Sequence, residues 1–138
     1  MRETRHGPVI SDVLNTAANA VSNNTVLALA WTGLSEKDVT PNSAAPMMRA
    51  KNWTEFKSAI QHFTSPQQNM VYADVNGNIG FYAPALVPIR KPENQAHGRL
   101  PVPGWIADYD WQGFVPFEEL PHAYNPPNGQ FYSANEKI

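Results

Sequence analysis

The sequence predicts an α+β fold built from antiparallel strands, one amphipathic helix and long loops rich in proline and aromatic residues. Three observations lead there. Asn52 and Glu55 have capping-box spacing, and Trp53, Phe56, Ile60 and Phe63 follow at helical intervals. A helix is therefore predicted over Trp53 to Phe63, with Lys57, Ser58 and Gln61 facing outward. Second, the strand-like stretches Asn69–Asp74 and Asn78–Tyr82 flank Asn76-Gly77, the pair favoured in a type I′ hairpin turn. Third, no strand–helix–strand alternation runs along the chain, which argues against a doubly wound parallel sheet.

The remaining elements follow in chain order. His6-Gly7-Pro8-Val9-Ile10 reads as a turn entering a short strand. Thr25 to Trp31 is a nearly continuous apolar run and predicts a strand buried on both faces. Residues 33–49 are polar and irregular, a surface excursion with Met47 and Met48 tucked in at its end. Ser65-Pro66 closes the predicted helix, and a last short strand is predicted over Gln130 to Ala134. Between the hairpin and that strand stand Pro84, Pro88, Pro92, Pro101, Pro103, Pro116, Pro121, Pro126 and Pro127. Proline fixes φ and offers no backbone donor, so this region is neither long helix nor central strand. It nonetheless holds Trp105, Tyr109, Trp111, Phe114 and Phe117, rings that favour burial. A loop region of that kind drapes over a larger body.

Composition removes several function classes. The chain has 138 residues, one domain by size, and hydrophobic residues make up 42% of it, enough for a packed core. Ten basic residues face twelve acidic ones without a block of either sign, so no electrostatic footprint for nucleic acid or an anionic membrane is present. Cysteine is absent, which excludes disulfides, thiolate metal sites and a cysteine nucleophile. The longest apolar run, Val26 to Trp31, is too short to cross a bilayer, and Arg2-Glu3-Thr4-Arg5 does not begin a signal peptide.

Local motifs are few. His6, His62, His97 and His122 lack a partner ligand on a shared helix face and read as structural or surface histidines. Asp108, Asp110, Glu118 and Glu119 offer carboxylates for glycoside chemistry, but in a loop region a solvated acidic rim is the plainer reading. The glycines of Asn76-Gly77-Asn78-Ile79-Gly80 lie between strands, whereas a phosphate-binding loop must feed a helix N-terminus. No serine sits in a nucleophile elbow.

An ordered set of short stretches carries more. Thr4-Arg5-His6-Gly7-Pro8, Ala30-Trp31-Thr32, Ala50-Lys51-Asn52-Trp53, and Tyr72 through Gly80 come first. Arg99-Leu100-Pro101-Val102-Pro103-Gly104, Asp110-Trp111-Gln112-Gly113, Pro116-Phe117, Tyr124-Asn125-Pro126 and Ser133-Ala134-Asn135 follow. Together they resemble the β-chain of the penicillin acylase family of N-terminal nucleophile hydrolases over nearly the whole length. The departure is the stretch between Thr32 and Ala50, longer than in the penicillin G type.

The resemblance implies that residues 1–138 are a single internal fragment of such a β-chain. It would form part of the family's four-layer αββα sandwich. The intact parent would be an amide hydrolase acting on N-acyl bonds of β-lactams, acyl-homoserine lactones or similar small molecules. The family uses an N-terminal serine whose α-amino group is its base. Neither that serine nor the backbone N–H oxyanion donor has a counterpart here, so the fragment alone is expected to be inactive.

Asn135 matches the family's side-chain oxyanion donor, with strand-end capping as the plainer alternative. Trp31 matches an acyl-pocket tryptophan, or serves as a plain core residue. Gln68 stands where penicillin G-type members are apolar, which argues against a purely aromatic pocket. No cofactor is implied for the chemistry. The resemblance allows a structural calcium in the parent, with Gly98 where those members have a proline supplying a carbonyl ligand and the carboxylate ligands outside these residues. The implied partners are the N-acyl amide substrate, the rest of the β-chain and the α-chain, and the implied compartment is periplasmic or secreted. The competing reading is a non-catalytic β-rich binding module with Trp105, Tyr109 and Trp111 as a stacking platform. Exposed, coplanar rings would favour it.

Overall fold

A computed structural model of the chain describes residues 2–22 and 24–134. The polypeptide forms two compact units, one from residues 1–35 and 88–113, the other from 36–87 and 114–138.

In the first unit, β1 (Glu3–Thr4) pairs antiparallel with β2 (Gly7–Pro8), Thr4 opposite Gly7. A short helix α1 (Asn15–Ala18) follows. The predicted strand over Thr25 to Trp31 is a correction. It makes a single bridge, Val9 to Ala28, flanked by Ile10 N–H donating to the Leu27 carbonyl at 2.8 Å and Leu29 N–H to the Pro8 carbonyl at 2.9 Å. Nor is it buried: Val26 is 41% exposed, Leu29 38% and Trp31 51%. A strand covered on both faces needs partners on both, and this unit supplies the N-terminal segment along one edge alone.

The second unit holds the core. Its first helix, α2 (Pro41–Arg49), lies where the sequence predicts an irregular excursion. Proline in the first turn costs no hydrogen bond, because that turn's N–H groups have no intrahelical partner. Ser43 is buried and its hydroxyl donates to the Thr40 carbonyl at 2.6 Å. Pro46 sits inside the helix, and this breaker content hides the element from sequence reading. Met47 packs against the core as predicted, while Met48 is 86% exposed and does not.

Helix α3 (Trp53–Ile60) begins where predicted. Asn52 Oδ1 accepts from Glu55 N–H at 2.9 Å, a cap contributing about 1 kcal/mol. Glu55 reaches back to Lys51 N–H at 2.9 Å, one residue earlier than a standard box. The helix stops at Ile60, three residues short of the prediction, and Phe63 N–H closes a turn onto the Ile60 carbonyl.

Strands β3 (Met70–Ala73) and β4 (Ile79–Tyr82) form the predicted hairpin, Val71 opposite Phe81. Its turn differs from the predicted type I′. Gly77 has φ of +82°, whereas Asn76 is not among the residues with positive φ. Gly77 N–H donates to the Asp74 carbonyl at 3.1 Å and Asp74 N–H to the Asn78 carbonyl at 3.0 Å. This is a type I turn closed by a left-handed glycine, the longer hairpin loop. Asp74 decides it, because its carboxylate caps both Asn76 N–H and Asn78 N–H.

Strands β5 (Pro88–Ile89) and β6 (Gly113–Phe114) lie at the unit boundaries. Strand β7 (His122–Tyr124), unpredicted, adds to the free edge of β4 with Phe81 opposite Ala123, giving the order β3-β4-β7. Residues 130–134 carry no strand, against prediction. Side-chain contacts there include Phe131 stacked on Phe81 and Ser133 accepting from Asn69.

Phe56, Ile60, Tyr72, Tyr82 and Leu120 make the core of this unit, with Trp53 against the Phe56, Tyr72, Tyr82 and Tyr124 rings. Gly80 permits it, since a Cβ there would run into the Trp53 ring.

Candidate functional site

Asn135 lies outside the described residues. The segment leading to it starts at Asn125, whose φ is +47°. Asn125 exchanges backbone and side-chain bonds with the end of β4: its N–H donates to the Ile79 carbonyl at 2.9 Å, and its Oδ1 accepts from Ile79 N–H at 2.9 Å. Its Nδ2 donates to Asn78 Oδ1 at 2.8 Å. One side chain thus completes the ladder that the left-handed backbone breaks. Sequence reading placed this residue in a family-like stretch without assigning it a role; the signal for that role was an asparagine before proline, a type that tolerates αL.

Gln68 is exposed and lines a shallow cavity of about 340 Å³ with Met47, Phe56, Asn69, Met70 and Val71. The cavity is mainly apolar, with Gln68 and Asn69 as its amides. It forms because Met47 on α2 and Phe56 on α3 face the entry to β3. Trp31 is in the other unit, half-exposed, with its ring over Gly33, where a Cβ would lie 2.6 Å from it. It is no core tryptophan in this chain.

The first unit also contains a charged knot. Arg5 Nη1 donates to Asp110 Oδ2 at 2.7 Å and Nη2 to the Gly104 carbonyl at 2.8 Å. His6 Nε2 lies 2.8 Å from the Gly104 carbonyl and 3.8 Å from Asp110 Oδ1. The Arg5 hydrogen bond holds the Asp110 carboxyl below its usual range. His6 is therefore structural, as predicted, and Asp110 is an anchor for Arg5 rather than half of a glycosidase pair. Glu118, in the other unit, pairs with Lys57 at 2.6 Å, and Asp108 with Lys91 at 2.7 Å. No group of three or more histidines and carboxylates suited to a metal occurs among the described residues. Calcium takes six to eight oxygens including carboxylates. Around Gly98 the nearest side chain is instead the Arg90 guanidinium, 2.6 Å from where a Cβ would stand. These residues do not by themselves fit a calcium site.

Among the three rings of the stacking-platform reading, Trp105 is 76% exposed while Tyr109 and Trp111 are half-buried. A platform of coplanar exposed rings is not what they form.

Comparison with known proteins decides the family. The model of the family described as penicillin amidase matches residues 1–138. The chain belongs to the penicillin amidase family. It is 36% identical over 137 residues to the penicillin acylase 2 proenzyme of a Pseudomonas species, covering 99% of this chain and 16% of that protein. It is 33% identical over 136 residues to the acyl-homoserine lactone acylase QuiP of Pseudomonas fluorescens, with 99% and 16% covered. Among solved structures it resembles a thermostable penicillin G acylase from Alcaligenes faecalis, with a TM-score of 0.78 and 28% identity over 98% of this chain and 22% of that one. The mixed helix and antiparallel strands are thus the α+β architecture of an N-terminal nucleophile hydrolase, of which this chain is a part. It spans about a sixth of the length of the curated penicillin amidase relatives it matches.

Proposed function

We propose that the protein containing this chain hydrolyses the amide bond of small N-acyl substrates, β-lactam side chains or acyl-homoserine lactones among them. The observation that carries the reading is the family match over all of residues 1–138, joined to relatives named for both activities. In this reading the nucleophilic serine, its α-amino base and the backbone oxyanion donor come from outside the chain, as do the α-chain and the rest of the β-chain. The chain contributes Asn135 as the side-chain donor to the developing oxyanion, and Trp31 and Gln68 to acyl binding. A neutral amide held in place stabilises negative charge more in the transition state than in the ground state. A periplasmic or secreted location, and a part in antibiotic metabolism, belong to the same proposal. Any structural calcium would draw its carboxylates from the remainder.

The test uses the full-length protein, with its processing checked on a gel. It should release phenylacetate from penicillin G or the fatty acid from an N-acyl-homoserine lactone, while residues 1–138 alone leave both intact. Without a nucleophile no acyl-enzyme forms. Asn135→Ala in the processed protein should lower kcat by about 10²–10³ with little change in KM. Turnover by residues 1–138 alone, or wild-type kcat in processed Asn135→Ala, overturns the assignment.

A further inference from the structure

The shallow cavity beside Gln68 is assembled from three elements of the second unit. Met47 comes from α2, Phe56 from α3, and Met70 and Val71 from β3, with Gln68 and Asn69 on the segment that enters β3. The place of α2 is set at its start. The Thr40 hydroxyl accepts from Thr64 N–H at 2.9 Å and from Ser65 N–H at 3.1 Å. The Asp38 carboxylate accepts from Thr40 N–H at 2.9 Å and from the Thr64 hydroxyl. These bonds fasten the start of α2 to residues 64–65, just ahead of Gln68. Farther along the helix, Met47 packs against the core and borders the cavity, while Met48 beside it is exposed.

The lining discriminates among acyl groups. Among the described lining residues Phe56 is the one ring, and it is already engaged by Trp53, centroids 5.8 Å apart, and by Tyr72 at 5.2 Å. The other apolar walls are two methionines and a valine. Thioether side chains are unbranched and adaptable, so they suit a flexible chain, whereas a flat ring gains most from a free aromatic face. A volume of about 340 Å³ lies at the small end for a ligand site. We propose that this cavity holds the outer end of an unbranched aliphatic acyl chain, and that Met47 of α2 sets how long a chain fits. The inference rests on the proposed role of Gln68 in acyl binding, and adds to it a substrate class and the residue that discriminates within that class.

The experiment measures kcat/KM of the full-length processed protein for N-hexanoyl- and N-dodecanoyl-homoserine lactone, with N-phenylacetyl-homoserine lactone as the aromatic comparison. Met47→Trp shortens the cavity and should lower the dodecanoyl-to-hexanoyl ratio about tenfold, the low end of what a change of one methylene does in an apolar pocket. Met47→Ala lengthens the cavity and should raise the same ratio. Met48→Trp makes the same change at the exposed neighbour and should leave the ratio at its wild-type value. A merely structural role for Met47 would slow both substrates alike, so the ratio separates the two roles. Melting temperatures check that each variant folds, and Met47→Ala carries the test if Met47→Trp does not. A ratio that stays at the wild-type value in folded Met47 variants overturns the inference, as does an equal shift in Met48→Trp. A wild-type preference for the phenylacetyl substrate over both aliphatic ones overturns the substrate class. If the wild type cleaves none of the three, the proposed function fails and the inference with it; turnover with a ratio blind to Met47 removes the inference alone.

Discussion

Asp74 gathers four donor groups at the mouth of the hairpin: the Tyr72 hydroxyl at 2.9 Å, Asn76 N–H at 2.9 Å, Asn78 N–H at 3.0 Å and the Asn78 amide. The Asn78 amide is the largest influence holding its carboxyl below the ordinary 3.8, with the backbone donors and Tyr72 adding to it. Loss of solvent, and then the Asp74 carboxylate beside it, push the Tyr72 hydroxyl up to about 12. The sign for stability follows from linkage. A carboxyl whose folded pKa is depressed contributes fully above its unfolded value near 3.8, and the contribution is lost as pH falls below that and through the folded value. Asp74→Asn should therefore lower the denaturation midpoint at neutral pH and flatten its decline below about pH 4. Some slope remains, because Asp12, Asp38 and Asp110 are depressed as well. Midpoints measured from pH 7 to 2 that fall in parallel for wild type and variant would show that Asp74 carries none of it.

At the scale of elements, what the sequence made legible was local. Helix α3 carries its cap, its acidic third residue and its apolar face within a dozen positions, and the β3–β4 hairpin carries its turn between its strands. What it hid depends on distant partners. Strand β7 exists because β4 has a free edge some forty residues earlier, and nothing in His122-Ala123-Tyr124 announces that. Helix α2 holds two prolines and is stabilised by Met47 on the core and by Thr40, whose hydroxyl accepts from Thr64 N–H at 2.9 Å. The turn was half legible: Gly77 is needed at positive φ as predicted, but Asp74 selects the longer loop. The candidate residues Asn135, Trp31 and Gln68 rest on resemblance alone; Asn125 falls in a family-like stretch, but its contacts with β4 join residues distant in sequence and were not legible there. The turn yields a graded prediction. A Cβ at Gly77 meets nothing within 4 Å, so substitution there costs backbone strain alone. Gly77→Val should destabilise by about 1–2 kcal/mol, and Gly77→Asn by clearly less, since asparagine tolerates the left-handed region. Equal losses in the two variants, read from denaturation midpoints, would mean that φ at this position is not what matters.

Over the whole molecule, apolar exposure is concentrated where the first unit should be most buried. Val26, Leu29, Trp31, Leu34, Leu100 and Trp105 are all more than a third exposed, and Val26, Leu29, Leu100 and Trp105 border an open cavity of about 1070 Å³. Single exposed apolar residues are ordinary, but a contiguous set along one apolar run marks a surface made to be covered. The run from Thr25 to Trp31 reads from sequence as buried on both faces, and in this structure it is not. The chain spans about a sixth of the length of its curated relatives, and under the proposed function the expected cover is the rest of the protein. Val26→Asp tests this by giving opposite results in two contexts. In residues 1–138 the aspartate meets water, so the midpoint should move by no more than about 0.5 kcal/mol and solubility should rise. In the full-length protein the same charge would be buried without a partner, costing several kcal/mol, and the yield of folded, processed protein should collapse. If full-length Val26→Asp matures and melts like wild type, the run faces solvent there too, and the exposed apolar surface of the first unit has some other use.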